Sequence, residues 1–152
     1  MLIRSGGWTQ RQWRALAQGA LTLGQIRLAV AAWTAAAHAD PVEGVDDLYH
    51  VALVWLADDR AARAGRLCLR LAQQSTSPAQ QVRLFRLGVA WLQGARGAAE
   101  ALAQAREALR HMADWRAEQG IAVCVGRLAM AADRPAVAAS LLAAALAARR
   151  VP

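Results

Sequence analysis

The chain has 152 residues, a formal net charge of +7 and a pI near 11.3. It is long enough for one domain with a sizeable core, and its surplus of positive charge favours polyanions or acidic partners. Hydrophobic residues make up 57%, much of it Ala, while Phe and Tyr occur once each and Pro four times. That composition disfavours strand-rich folds and predicts a nearly all-α protein. All 18 basic residues are Arg, which reads as the imprint of a GC-rich genome, so the preference for Arg carries no functional weight.

Residues 1–9 form a polar lead containing Ser5, Gly6 and Gly7. Two helices follow, at about 9–22 and 25–39. Trp13, Leu16, Ala17 and Ala20 share one face of the first, and Leu28, Ala29, Ala32, Trp33, Ala36 and Ala37 share one face of the second. Small Ala opposite large Trp lets two helices approach while the indole fills the gap. Gly24 suits the turn between them, and Pro41 stops the second helix. An acidic loop at 40–47 leads to a helix at about 46–57, which Asp46 or Asp47 caps. Leu48, Val51, Ala52 and Trp55 lie on one face of it, Asp58 and Asp59 occupy its turn, and Ala64 and Cys68 lie on the helix beyond. After the break QSTSP at 74–78, a helix at 79–93 carries Leu84, Leu87, Gly88 and Trp91, with GARG at 94–97 as its turn. A helix at 98–112 carries Ala101, Ala105 and Ala108. In the last stretch Asp133 marks the turn, Pro135 opens a helix, and Ala138, Leu142 and Ala145 form its inner face.

Residues 10–41 resemble a tetratricopeptide (TPR) unit. Counted from Gln10, Trp13, Leu16 and Ala17 stand at the signature places, Gly24 at the turn, Ala29, Trp33 and Ala36 on the second helix, and Pro41 at the end; Ala20 is smaller than the pattern prefers. Further units fit at about 45–78, 79–113 and 115–149, within a single domain spanning 1–152. The resemblance implies an all-α fold, a short right-handed α-solenoid of about four antiparallel helix hairpins. Residues 105–123 and the final unit are also similar to the repeats of large bacterial transcriptional activators of the MalT-like, LuxR-type and antibiotic-regulatory-protein groups. No phosphate-binding GxxxxGK[ST] and no DNA-binding module accompany them here, so ATP use and operator binding do not carry over. What carries over is a sensor- or adaptor-like repeat in transcription regulation.

In the TPR family the first helix of each hairpin lines a groove. The resemblance therefore implies a partner-binding surface of Arg11, Arg14, Gln18 and Leu21, then Asp46, Tyr49, Leu53 and Leu56, then Val82, Phe85, Val89 and Leu92, then Val123, Arg127 and Met130. Arg11 and Arg14 are suited to hold a carboxylate as bidentate donors. The apolar remainder suits an amphipathic helix or extended segment of a protein partner. The alternative reading, of equal weight, has Tyr49, Leu53, Phe85 and Val89 packing within the core.

Arg60, Arg63, Arg66 and Arg70 recur on one face opposite Ala64, Leu67, Cys68 and Leu71. They read either as a solvated helix face or as an anion-binding row, extended by Arg83 and Arg86, with nucleic acid as the alternative partner. Leu141, Leu142 and Leu146 offer a third possibility, an exposed end that stacks on a second copy. Catalysis finds no motif. His38, His50 and His111 are scattered, Asp46 and His50 make at most half a metal site, and no Ser or Cys sits in a nucleophile arrangement, so no enzyme, cofactor or metal is expected. Glu100, Glu107 and Glu118 read as surface partners of Arg106 and Arg110.

Residues 28–39 resemble an apolar signal core ending at an A-x-A site, but the long charged region before them argues against secretion. No apolar run has the length of a membrane helix. Cys68 and Cys124 are far apart and are expected as free thiols, so a reducing, cytoplasmic setting without membrane association is expected.

Overall fold

The computed structural model describes residues 7–40, 43–112, 115 and 118–150. The expected lead at 1–6 and the helix stop at Pro41 lie outside the described residues. Among those residues all regular structure is helical, as the composition predicts: α1 (Gln10–Thr22), α2 (Ile26–Ala39), α3 (Gly44–Ala57), α4 (Ala61–Gln74), α5 (Pro78–Arg96), α6 (Ala98–Leu109), α7 (Gln119–Ala131) and α8 (Pro135–Arg150).

The helix ends follow from local chemistry. Thr9 caps α1 in a reciprocal box: its hydroxyl accepts from the Gln12 N–H at 3.3 Å, and its own N–H donates to Gln12 Oε1 at 2.8 Å. Ser77 accepts from the Gln80 N–H ahead of Pro78, whose missing N–H costs nothing at a helix start. Three turns share one geometry. Gly24, Asp59 and Asp133 all take left-handed backbone angles, with φ of 74°, 61° and 58°. At each, the next residue's N–H reaches back five residues to a carbonyl, from Gln25 to Ala20, Arg60 to Trp55 and Arg134 to Ala129, every time at 2.8 Å. These are Schellman closures, and Asp replaces Gly because it is among the few side-chain-bearing residues that tolerate this region.

Two expectations shift. The GARG turn is mostly absorbed into α5, which runs to Arg96; only Gly97, at φ 90°, breaks the chain before α6. The helix expected from residue 46 starts at Gly44, and neither Asp46 nor Asp47 caps it.

The chain divides into two compact units, residues 1–60 and 61–152, so the second expected repeat contributes α3 to one and α4 to the other. In the first unit α2 packs against α1 and α3. Its core joins Trp13 and Trp33 to a set of buried Ala residues (Ala17, Ala29, Ala32 and Ala36) and to Val51, Ala52 and Val54. In the second unit α4 and α5 make the most extensive contact, and α6, α7 and α8 each pack on the helix before them. The α4–α5 crossing is a backbone contact. A Cβ on Gly65 would stand 2.8 Å from the Gly88 carbonyl oxygen, and a Cβ on Gly88 would stand 2.8 Å from that of Gly65. Leu69 and Leu92 flank this point, and Leu71, Leu84 and Phe85 are buried on the same two helices.

Gly88→Ala should therefore lower the urea midpoint, by about 1–3 kcal/mol in stability, because the added methyl meets backbone. Gly94→Ala in the same helix, where a Cβ has open space, should be neutral or stabilising by about 0.5–1 kcal/mol. Equal effects of the two substitutions would refute the close crossing.

Candidate functional site

The repeat register has Arg14 offering its guanidinium to a partner's carboxylate. It holds one, but the carboxylate belongs to this chain. Asp47, 1% exposed, accepts from Arg14 Nε at 2.6 Å and from Nη2 at 3.2 Å, and Gln10 Nε2 adds a third bond at 2.6 Å. Glu43 lies 3.5 Å from the same guanidinium. The hydrogen bond to Asp47 raises the Arg14 pKa above its usual value despite partial desolvation, and the charges of Asp47 and Glu43 add to it. Asp47 is thus a tie between α1 and α3 and not a helix cap. A bidentate, nearly buried carboxylate is not free for exchange with a ligand.

The other groove candidates of this unit fare differently. Arg11, Gln18, Leu21 and Leu53 are exposed, while Tyr49 and Leu56 are half-buried. His50 is held by its neighbours in this unit. Its ring stacks on Trp33 with centroids 4.3 Å apart, and its Nδ1 donates to the Asp46 carbonyl oxygen at 2.8 Å. Tyr49 meets His50 edge-on at 6.4 Å.

In the second unit Phe85 and Leu92 are fully buried. Phe85 is a core residue and not a groove residue, which settles its two readings in favour of packing. The face of α5 that looks outward, Arg86, Ala90 and Gln93, is displaced from the expected one by a single residue, whereas Val89 is 4% exposed and packs mainly with the core. Arg86, Val89, Ala90 and Gln93, at i, i+3, i+4 and i+7, line an open recess of about 610 Å³. Its other wall is α7, through Gln119, Val123, Cys124 and Arg127, with Leu128 at the base. Val89, Val123 and Arg127, all groove residues by the repeat register, come together here. Met130, a groove residue by the same register, is 60% exposed and lies outside it.

The electrostatics of this recess are one-sided. Among the described residues, no acidic side chain lines it. Burial pushes the Cys124 thiol pKa up, while the charges of Arg86 and Arg127 pull it down, so both guanidinium groups act at this sulfur. Sequence reasoning misses Gln93, Gln119 and Cys124 and assigns Arg86 elsewhere. The signal that finds Arg86 and Gln93 is the expected face read one residue later along α5, while Gln119 and Cys124 lie on α7, beyond the reach of that pattern.

The arginine row does not form one stripe. Arg60 precedes α4, closes the first unit and pairs with Asp58 at 3.3 Å. Arg63 is exposed, while Arg66 and Arg70 line a smaller recess of about 380 Å³ between α4 and α6. Glu107 and His111 line the same recess; Glu107 pairs with Arg110 at 3.3 Å and lies 3.6 Å from His111. Because α6 packs beside α4, half of the row faces another helix and a carboxylate. At the end of the second unit, Leu142 packs over Gly126 yet stays 38% exposed, and Leu146 is 55% exposed.

Among the described residues, no group of three potential ligands is placed to hold a metal ion, and no helix is long and apolar enough to cross a membrane. No protein-family model, curated protein or solved structure matches the chain.

Two outcomes are expected for stability. Asp47→Ala should cost about 1.5–3 kcal/mol by urea denaturation, because it removes three hydrogen bonds, two of them from a charged donor; a loss below about 0.5 kcal/mol would mean that the tie carries no weight. Cys68 is buried, which pushes its pKa up to about 12 from 9.0. Above pH 9 the unfolded chain releases this proton while the folded chain keeps it. Stability should therefore be intact below pH 9 and fall between pH 9 and 12, with a slope approaching about 1.4 kcal/mol per pH unit. Cys68→Ala should flatten that slope; an unchanged slope would assign it to other groups.

Proposed function

We propose that this chain is a non-enzymatic interaction module built on TPR-like repeats of the solenoid class, an adaptor or regulatory sensor whose first helices carry a protein partner. The observation that supports this most is the meeting of Val89, Val123 and Arg127 in one open recess, because the repeat register alone points to all three. The shared closures at Gly24, Asp59 and Asp133 support the same register. They fall 35 and then 74 residues apart, the second interval being close to two repeats. Between Asp59 and Asp133, the turn at Gly97 lies late relative to that period, which supports reading α5–α6 as an irregular repeat.

A partner segment with apolar residues at helical spacing would lay them on Val89 and Val123, with its polar edge toward the arginines. The nucleic-acid alternative gains nothing from the geometry, since Arg60 is paired with Asp58, and Arg66 and Arg70 share their recess with Glu107. The test is capture from nuclease-treated host lysate, comparing the native chain with Ala90→Arg and Val123→Glu. Ala90 is exposed at the recess, so its substitution leaves the core alone. We expect one discrete protein on the native chain, reduced at least tenfold by each variant at unchanged melting temperature. Equal capture by all three would place the partner elsewhere.

A further inference from the structure

Beyond partner capture, we propose that the recess between α5 and α7 is a binding site for a small organic anion, with Arg86 and Arg127 holding its carboxylate or phosphate head and Val89, Val123 and Leu128 taking its apolar body. Three features converge on this. The first is size: about 610 Å³ lies within the range of small-molecule sites. The second is composition: Val89, Val123 and Leu128 stand beside Arg86, Gln93, Gln119 and Arg127, a mixed lining whose convergent polar groups fix a ligand's orientation.

The third is uncompensated charge. Arg14, Arg60 and Arg110 each face a carboxylate. Arg86 and Arg127 face none among the described residues, yet they stand on two different helices and border the same apolar space. Other arginines lack a carboxylate as well, such as Arg106 on the exposed side of α6, but Arg106 lines no recess. Two cations bordering one recess repel each other, and an anion between them removes that repulsion while gaining planar, two-pronged hydrogen bonds. Cys124 reports the convergence, because its sulfur lies in the recess and both guanidinium charges reach it.

The test uses the full chain and anilinonaphthalene sulfonate, whose fused rings and single sulfonate stand in for the apolar body and the anionic head. Fluorescence titration should give one saturable site, weakened at least tenfold by Arg86→Gln and by Arg127→Gln and unchanged by Arg106→Gln. At saturation the dye should also slow the alkylation of Cys124 by the neutral reagent N-ethylmaleimide at least fivefold, followed by mass spectrometry of the peptide. This second readout separates the recess from dye adhering to the exposed leucines of α8. Absence of binding, binding indifferent to both arginine substitutions, or unprotected Cys124 at saturation would each overturn the proposal. None of these results bears on partner capture, which is scored by Ala90→Arg and Val123→Glu with no dye present, so the two claims fail independently.

Discussion

At the closest helix contacts of this chain the residues between the backbones are Ala or Gly, and that constraint sets where the larger side chains go. A helix pair separated by Leu or Phe sits at about 8–10 Å between axes, set by the side chains at the contact. At Gly65 and Gly88 there is no side chain on either helix, so each backbone rests on the other. Gly44 meets the Ala37 backbone in the same way, and Ala17 of α1 and Ala29, Ala32 and Ala36 of α2 are fully buried. Close approach leaves the larger side chains displaced to the flanks. Trp13, Trp33, Leu71 and Phe85 supply much of the buried bulk of the two cores. Close approach also explains why a chain with so few aromatic residues still buries a continuous core within each unit.

The recess is a consequence of the same rule. On α5, Gly88 and Leu92 are turned to the core, and Gly88 meets α4. The helix thereby presents Arg86, Ala90 and Gln93 on its other side, with α7 as the opposing wall. The site chemistry is thus fixed by the register of a crossing that contains no functional group. Arg86 is exposed because small residues elsewhere decide which way α5 faces.

Much of the fold is legible in the sequence because its signals are local. Turn residues declare themselves, and Asp59 and Asp133 behave as glycine substitutes because a short polar side chain tolerates left-handed angles. Trp13 and Trp33 declare their burial through helical spacing. What is not legible depends on the third dimension. A sequence shows that Arg14 is suited to grip a carboxylate, but not that Asp47, 33 residues away, is the carboxylate it grips. Phe85 and Arg86 are neighbours in the chain, and one residue of register, 100° of rotation, decides which is core and which is site. The arginine row reads as one stripe until α6 covers part of it, which no periodicity on α4 can reveal. The run GARG contains two glycines, and only the second breaks the helix.

The central claim is that α5 and α7 together carry the binding surface. The most direct measurement is amide hydrogen exchange of the whole chain, alone and with its captured partner. Exchange should slow over residues 86–93 and 119–128, the two stretches that line the recess, and stay unchanged across α4 and α6. Protection confined to α4 and α6, or to the exposed end of α8, would contradict the account and move the binding surface away from these two helices.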